Sequence, residues 1–132
     1  MFKYTLDNKR YHTLNYHVKT KYNSKVVKAS LNAGFTCPNI DGKAGYGGCI
    51  YCSKSGSGEF GGDIHKSLPE QFYEIKEKIS KKWPNSKYIA YFQAHTNTYA
   101  PVEVLKEKYE SVLNLDNVIG IAIATRCDAI SD

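Results

Sequence analysis

With 132 residues, 42% of them apolar, the chain has material for one domain with a modest core, and its composition excludes wholesale disorder. A formal net charge of +5 is a mild basic excess, which admits an anionic partner such as RNA without requiring one. No apolar run reaches membrane-spanning length and the N-terminus lacks the apolar core of a signal peptide, so a cytoplasmic protein with no membrane contact is expected, its four cysteines free rather than bridged.

Residues 1–12 are polar and tyrosine-rich and read as an irregular arm. Residues 13–23 predict a short helix capped by Thr13, with Leu14, Val18 and Tyr22 on one face. His12 and His17 in this region read as ordinary, partly exposed residues. Residues 1–24 thus form an N-terminal arm and helix, and residues 25–132 the body of the domain. Residues 25–32 predict a first strand from paired valines and the alternation that follows them. The stretch CPNIDGKAGYGGCIYC begins soon after, bringing Cys37, Cys49 and Cys52 together on one loop.

Glycine-rich residues 53–67 follow. Ser67 and Glu70 then have capping-box spacing, and Pro69 sits in the first turn of a helix. Leu68, Phe72, Ile75, Ile79 and Trp83 supply its apolar face, and the lysines at 76, 78, 81 and 82 its solvated side. Residues 87–93 predict a second strand with polar AHTNTYA at its end. Pro101 opens a second crossover helix, with Val102, Leu105, Tyr109, Val112 and Leu113 facing inward. Residues 118–124 are nearly all apolar, as expected of a strand buried on both faces. The order predicts an α/β fold of parallel strands joined by crossover helices, with the cysteine loop, QAHTNT and TRCD converging at the strand C-termini.

The spacing C-x11-C-x2-C leaves several chemistries open. Structural zinc wants four closed ligands, the fourth being Cys127, His65 or His95. Three thiolates alone suit a 4Fe–4S cluster with one iron left without a protein ligand. A redox pair at Cys49 and Cys52 is a third reading.

The phrases AGFTCPNIDG, GGCIYC, YFQAHTNTYAP and TRCD resemble those of radical S-adenosylmethionine (SAM) enzymes, in a bacterial subfamily related to the catalytic subunit of Elongator. The resemblance runs from about Tyr11 to Asp128. It departs in having Cys127 where proline is expected, and in length, since members continue well beyond residue 132. The chain is therefore expected to be the N-terminal part of a partial (β/α)6 barrel, and inactive alone if the rest is required.

The resemblance implies that Cys37, Cys49 and Cys52 ligate three irons of a 4Fe–4S cluster, whose fourth iron chelates SAM. One-electron cleavage of SAM then yields a 5′-deoxyadenosyl radical. It further implies SAM contacts from Tyr51, Gln93, Thr96, Asn97, Thr125 and Arg126. The glycines and glutamate that usually bind the methionyl amino group are absent. Arg126 can pair with a carboxylate, either the ligand's or that of Asp128 or Asp132. Cys127 is expected to be a buried free thiol, pointing away from Arg126. An electron donor such as flavodoxin or ferredoxin is implied. The substrate is open, with a transfer-RNA uridine suggested by the relatives and by Lys9, Arg10, Lys19, Lys21, Lys25 and Lys28. Radical chemistry on a small molecule or a protein is the rival within the enzyme class. Outside that class stands a zinc-binding nucleic-acid module without catalysis.

Overall fold

The computed structural model describes residue 2, residues 5–56 and residues 58–131. Helix α1 (Leu14–Tyr22) starts where the Thr13 hydroxyl accepts the Tyr16 N–H at 3.0 Å. Of its expected apolar face only Val18 is buried, and Leu14 is exposed. A nine-residue helix at the edge of the domain buries one side chain rather than a stripe. His12 and His17 are not independent: their rings meet at a steep angle with nitrogens 3.3 Å apart.

Strand β1 (Val26–Leu31) leads into the cysteine loop. Helix α2 (Leu68–Ser80) then opens on the full capping box, with the Ser67 hydroxyl and Glu70 carboxylate each satisfying the other's backbone N–H. These bonds also hold the Glu70 carboxyl below its ordinary value, the Ser67 hydroxyl first and the Ser67 N–H second. Trp83 lies past the helix end rather than on its apolar face, with the Lys82 and Lys25 ammoniums 4.6 and 5.3 Å from its ring centre.

Strand β2 (Lys87–Phe92), helix α3 (Val102–Leu113) and strand β3 (Val118–Ile123) complete the sequence, followed by one 3-10 turn, Cys127–Ala129. The sheet order is β1-β2-β3, all parallel, with Leu31 beside Phe92 and Phe92 beside Ile123. The three strand ends are therefore level. Alternation in β2 sends Tyr88, Ala90 and Phe92 into the core, against Phe72 of α2 and Val112 of α3. Phe72 meets Tyr88 edge-on at 5.5 Å, and Phe92 meets Tyr109 at 5.0 Å.

Two expectations fail here for reasons of geometry. In α3, Leu105, Tyr109 and Val112 form the inward stripe, but Val102 and Leu113 are exposed. Leu113 sits about 100° round the helix from Val112, and Val102 lies in the first turn, ahead of the stripe. Every residue of β3 is half-buried instead of buried on both faces. Among the described residues β3 pairs only with β2, and both crossover helices pack on the same sheet face. The other face carries Ile89 and Tyr91, both half-buried, with the Lys28 ammonium 4.7 Å from the Tyr91 ring centre.

Candidate functional site

Three consecutive backbone N–H groups just past β2 assemble the site. The His95 N–H donates to the Gly56 carbonyl, that of Thr96 to Thr36, and that of Asn97 to Ala124. One short segment is thereby tied to the chain after the last clustered cysteine, to the chain before the first, and to the end of β3. The divergence of these groups requires an unusual backbone, and His95 supplies it with φ +63°.

Around this segment lies a cavity of about 750 Å³ at the C-terminal edge of the sheet. Cys37, Cys49 and Cys52 line it, as do Tyr51, Gln93, Thr96, Thr125 and Arg126. Eight of the nine residues expected at the site thus share one space. Asn97 is the exception. Its side chain is fully buried, and its amide donates to the carbonyls of Phe92 (3.1 Å), Ala124 (2.9 Å) and His95 (3.4 Å). It clamps the ends of β2 and β3 rather than facing the cavity. Tyr109 adds to the clamp by donating its hydroxyl to the Asn97 carbonyl.

Cys37 and Cys49 are each drawn toward the thiolate. Burial alone would push Cys37 up. Hydrogen bonds from the Thr96 hydroxyl, the Asn39 backbone and Arg126 outweigh it and bring the group below its ordinary value. The Tyr51 hydroxyl and the Asn39 side-chain amide lower Cys49, the latter at 3.1 Å from Sγ. The same contact holds the Tyr51 hydroxyl protonated while its ring stays exposed. All four cysteines are free.

Arg126 forms a two-pronged ion pair with Asp128, Nε to Oδ1 at 2.9 Å and Nη2 to Oδ2 at 2.6 Å. Its Nη1 points to Cys37 Sγ at 3.8 Å. Asp128, then Cys37, hold the guanidinium still more firmly protonated than usual. The alternative partner Asp132 lies outside the described residues. Cys127 corrects the expectation of a buried thiol: it is exposed and absent from the cavity lining. The strand ends at Ile123, so alternation no longer governs residue 127, which begins the 3-10 turn.

Of the three histidine and cysteine side chains considered as a fourth metal ligand, only His95 lines the cavity. Among the described residues, no three histidine, cysteine, aspartate or glutamate side chains stand close enough to hold a single metal ion. Gly47 and Gly48 border the cavity with φ +79° and +77°, and a Cβ on Gly47 would meet nothing.

The loop is closed at its neck. The Gly62 N–H donates to the Ser30 carbonyl at 3.0 Å. Gln71, 1% exposed, accepts from the Asn32 N–H at 2.9 Å and donates to the Asn32 and Lys66 carbonyls at 3.0 Å each. A Cβ on Gly62 would lie 2.2 Å from Gln71 Oε1 and 2.7 Å from its Cβ. Because Gln71 is held at three points, it has no room to yield. Gly62→Ala is expected to cost about 1–3 kcal/mol, read as a lower urea midpoint at unchanged slope. An unchanged midpoint would show that the neck is soft. Neither Asn97 nor Gln71 carries a sequence signal for these roles; an Asn in a turn and a Gln on a helix read as solvent-facing.

No family model matches the chain, and no solved structure matches it. It is 56% identical to "Uncharacterized protein YtqA" of Bacillus subtilis over 131 residues, 99% of this chain and 41% of that protein. It is 36% identical to "Protein YhcC" of Escherichia coli over 112 residues, 85% of this chain and 35% of that one. "Uncharacterized protein MJ0486" of Methanocaldococcus jannaschii is 34% identical over 120 residues, 86% of this chain and 34% of its own length. The chain thus spans about two-fifths or less of the curated relatives it matches.

Proposed function

We propose that the chain is part of a radical SAM enzyme, the first half of a partial (β/α)6 barrel, in which Cys37, Cys49 and Cys52 hold a 4Fe–4S cluster. The observation that carries this reading is the shared cavity: three free thiols, two of them lowered by donors, open into one space with Gln93, Thr96, Thr125 and Arg126 at the ends of parallel strands. Thiolates without a closed fourth ligand fit a cluster better than a structural zinc site, since a cubane spaces its thiolates more widely than one ion does. When bound, the cluster and SAM would supply one-electron cleavage of the sulfonium and a radical that takes hydrogen from a substrate.

The protein's own part is binding and charge control. Thr96, Asn39 and Arg126 favour the Cys37 thiolate, and Tyr51 and Asn39 that of Cys49. Gln93 and Thr125 offer hydrogen bonds to the methionyl end of SAM. Arg126 Nη1 has no bond to Asp128 and would meet the ligand's carboxylate, while Asp128 keeps the other two nitrogens. A transfer-RNA uridine as substrate draws support from Lys21, Lys25 and Lys28, which stack over aromatic rings rather than pairing with carboxylates among the described residues. A flavodoxin or ferredoxin would deliver the electron.

Anaerobic purification and reconstitution test the reading. Equal uptake of iron and sulfide, with SAM-dependent release of 5′-deoxyadenosine by the chain or its longer form, is the expected result. Zinc bound alone after anaerobic work, with no iron uptake, sinks it.

A further inference from the structure

His95, just past the end of β2, is held in a position built at some cost. Its backbone is left-handed, a region where glycine would sit without penalty. The residue across from it, Gly56, is buried and bare: a Cβ there would fall 2.3 Å from His95 Nδ1 and 2.5 Å from Cε1. Two positions are thus arranged so that an imidazole rests at the cavity wall. Among the described residues that ring has no hydrogen-bond partner, although it is half-buried. Besides the three cysteines, the cavity is lined by Lys54 and by Arg126, whose charge is shared with Asp128 while its Nη1 stays clear of that carboxylate; no aspartate or glutamate among the described residues lines it. An imidazole N–H beside the Lys54 ammonium and the Arg126 Nη1 that Asp128 leaves unbonded can meet anionic oxygens on the side of the cavity away from the thiols.

We propose that His95 is an anion-binding residue that meets a phosphate group of a substrate bound in the cavity beside SAM. This rests on the cavity being a substrate site, and the phosphate contact itself does not depend on which metal the thiolates hold. The proposal therefore fails or stands separately from the cluster reading. His95 acts by hydrogen bonding, with Lys54 supplying long-range attraction from the rim.

The test is a titration of the metal-free full chain with inorganic phosphate in one arm and acetate in the other, followed by NMR of the histidine rings. His12, His17 and His65 serve as internal controls. The expected result is a saturable shift of the His95 ring alone. It should be lost in His95→Asn, which tolerates the left-handed backbone, and weakened several-fold in Lys54→Ala. Response to phosphate supports a nucleotide-type group, whereas response to acetate alone is what the methionyl carboxylate of SAM would give and overturns the proposal. No response in either arm, or one matched by the control histidines, overturns the proposal. Thermal melts separate binding from packing: His95→Gly and His95→Asn should melt at or above the parent temperature. A clear fall in both would make the ring a packing residue and also overturn it. Iron uptake by His95→Asn should equal that of the parent. Failed uptake by the parent with an intact phosphate shift would sink the cluster reading alone.

Discussion

Replacing Cys37, Cys49 or Cys52 singly by alanine is expected to abolish iron and sulfide uptake on anaerobic reconstitution, while Cys127→Ala leaves it unchanged. The three residues face one cavity and Cys127 is not among its lining. None of the three belongs to the buried core, so the variants should keep the parent's circular dichroism and melting behaviour. Cys37→Ala should have the widest consequences. It also removes the acceptor at 3.8 Å from Arg126 Nη1 and the group beside the Thr96 hydroxyl. Full uptake by any one of the three variants, or loss in Cys127→Ala, would contradict the ligand assignment. The second outcome would move Cys127 from bystander to ligand.

Asn97→Ala is expected to destabilise the fold by about 1–2 kcal/mol, because it removes an amide donor shared by three carbonyls. The loss is bounded, since the Phe92 and Ala124 carbonyls keep the backbone N–H groups of residues 124 and 97 and the buried Asn97 Oδ1 has no partner to lose. The Phe92 and Ala124 carbonyls belong to neighbouring strand ends, so the loss falls on the joint between β2 and β3. Urea denaturation should show a lower midpoint at a similar slope. SAM affinity, measured by calorimetry on reconstituted protein well below the new transition, should stay close to that of the parent. Unchanged stability with lost SAM binding would restore Asn97 to the role that the family resemblance implies.

The parts of this chain legible in its sequence are those written in local chemistry. The Thr13 cap, the Ser67–Glu70 capping box and the Leu105–Tyr109–Val112 stripe each depend on residues within a turn or two of one another. The grouping of the cysteine loop with Gln93, Thr96, Thr125 and Arg126 was also within reach, since parallel strands bring their C-termini to one edge. What escaped depends on distant partners. Asn97 serves residue 124, Gln71 serves residue 32, and Trp83 settles against Lys25. Burial of β3 escaped because it is decided by which layers lie above and below the strand, information that an apolar run does not contain. The exposure of Cys127 is not legible in the sequence because β3 ends at Ile123, and strand alternation says nothing about a residue in the turn that follows.

The closed neck at Ser30, Asn32, Gly62 and Gln71 has a consequence for how the molecule opens. The cysteine-bearing excursion leaves β1 and returns within hydrogen-bond distance of it, so its conformational entropy is confined on the far side of a fixed gate. Beyond that gate it is tied to the sheet by the His95 and Thr96 N–H groups, and breaking those bonds would free it while β2 keeps both neighbours. Opening of the loop would then be local and leave the sheet folded throughout.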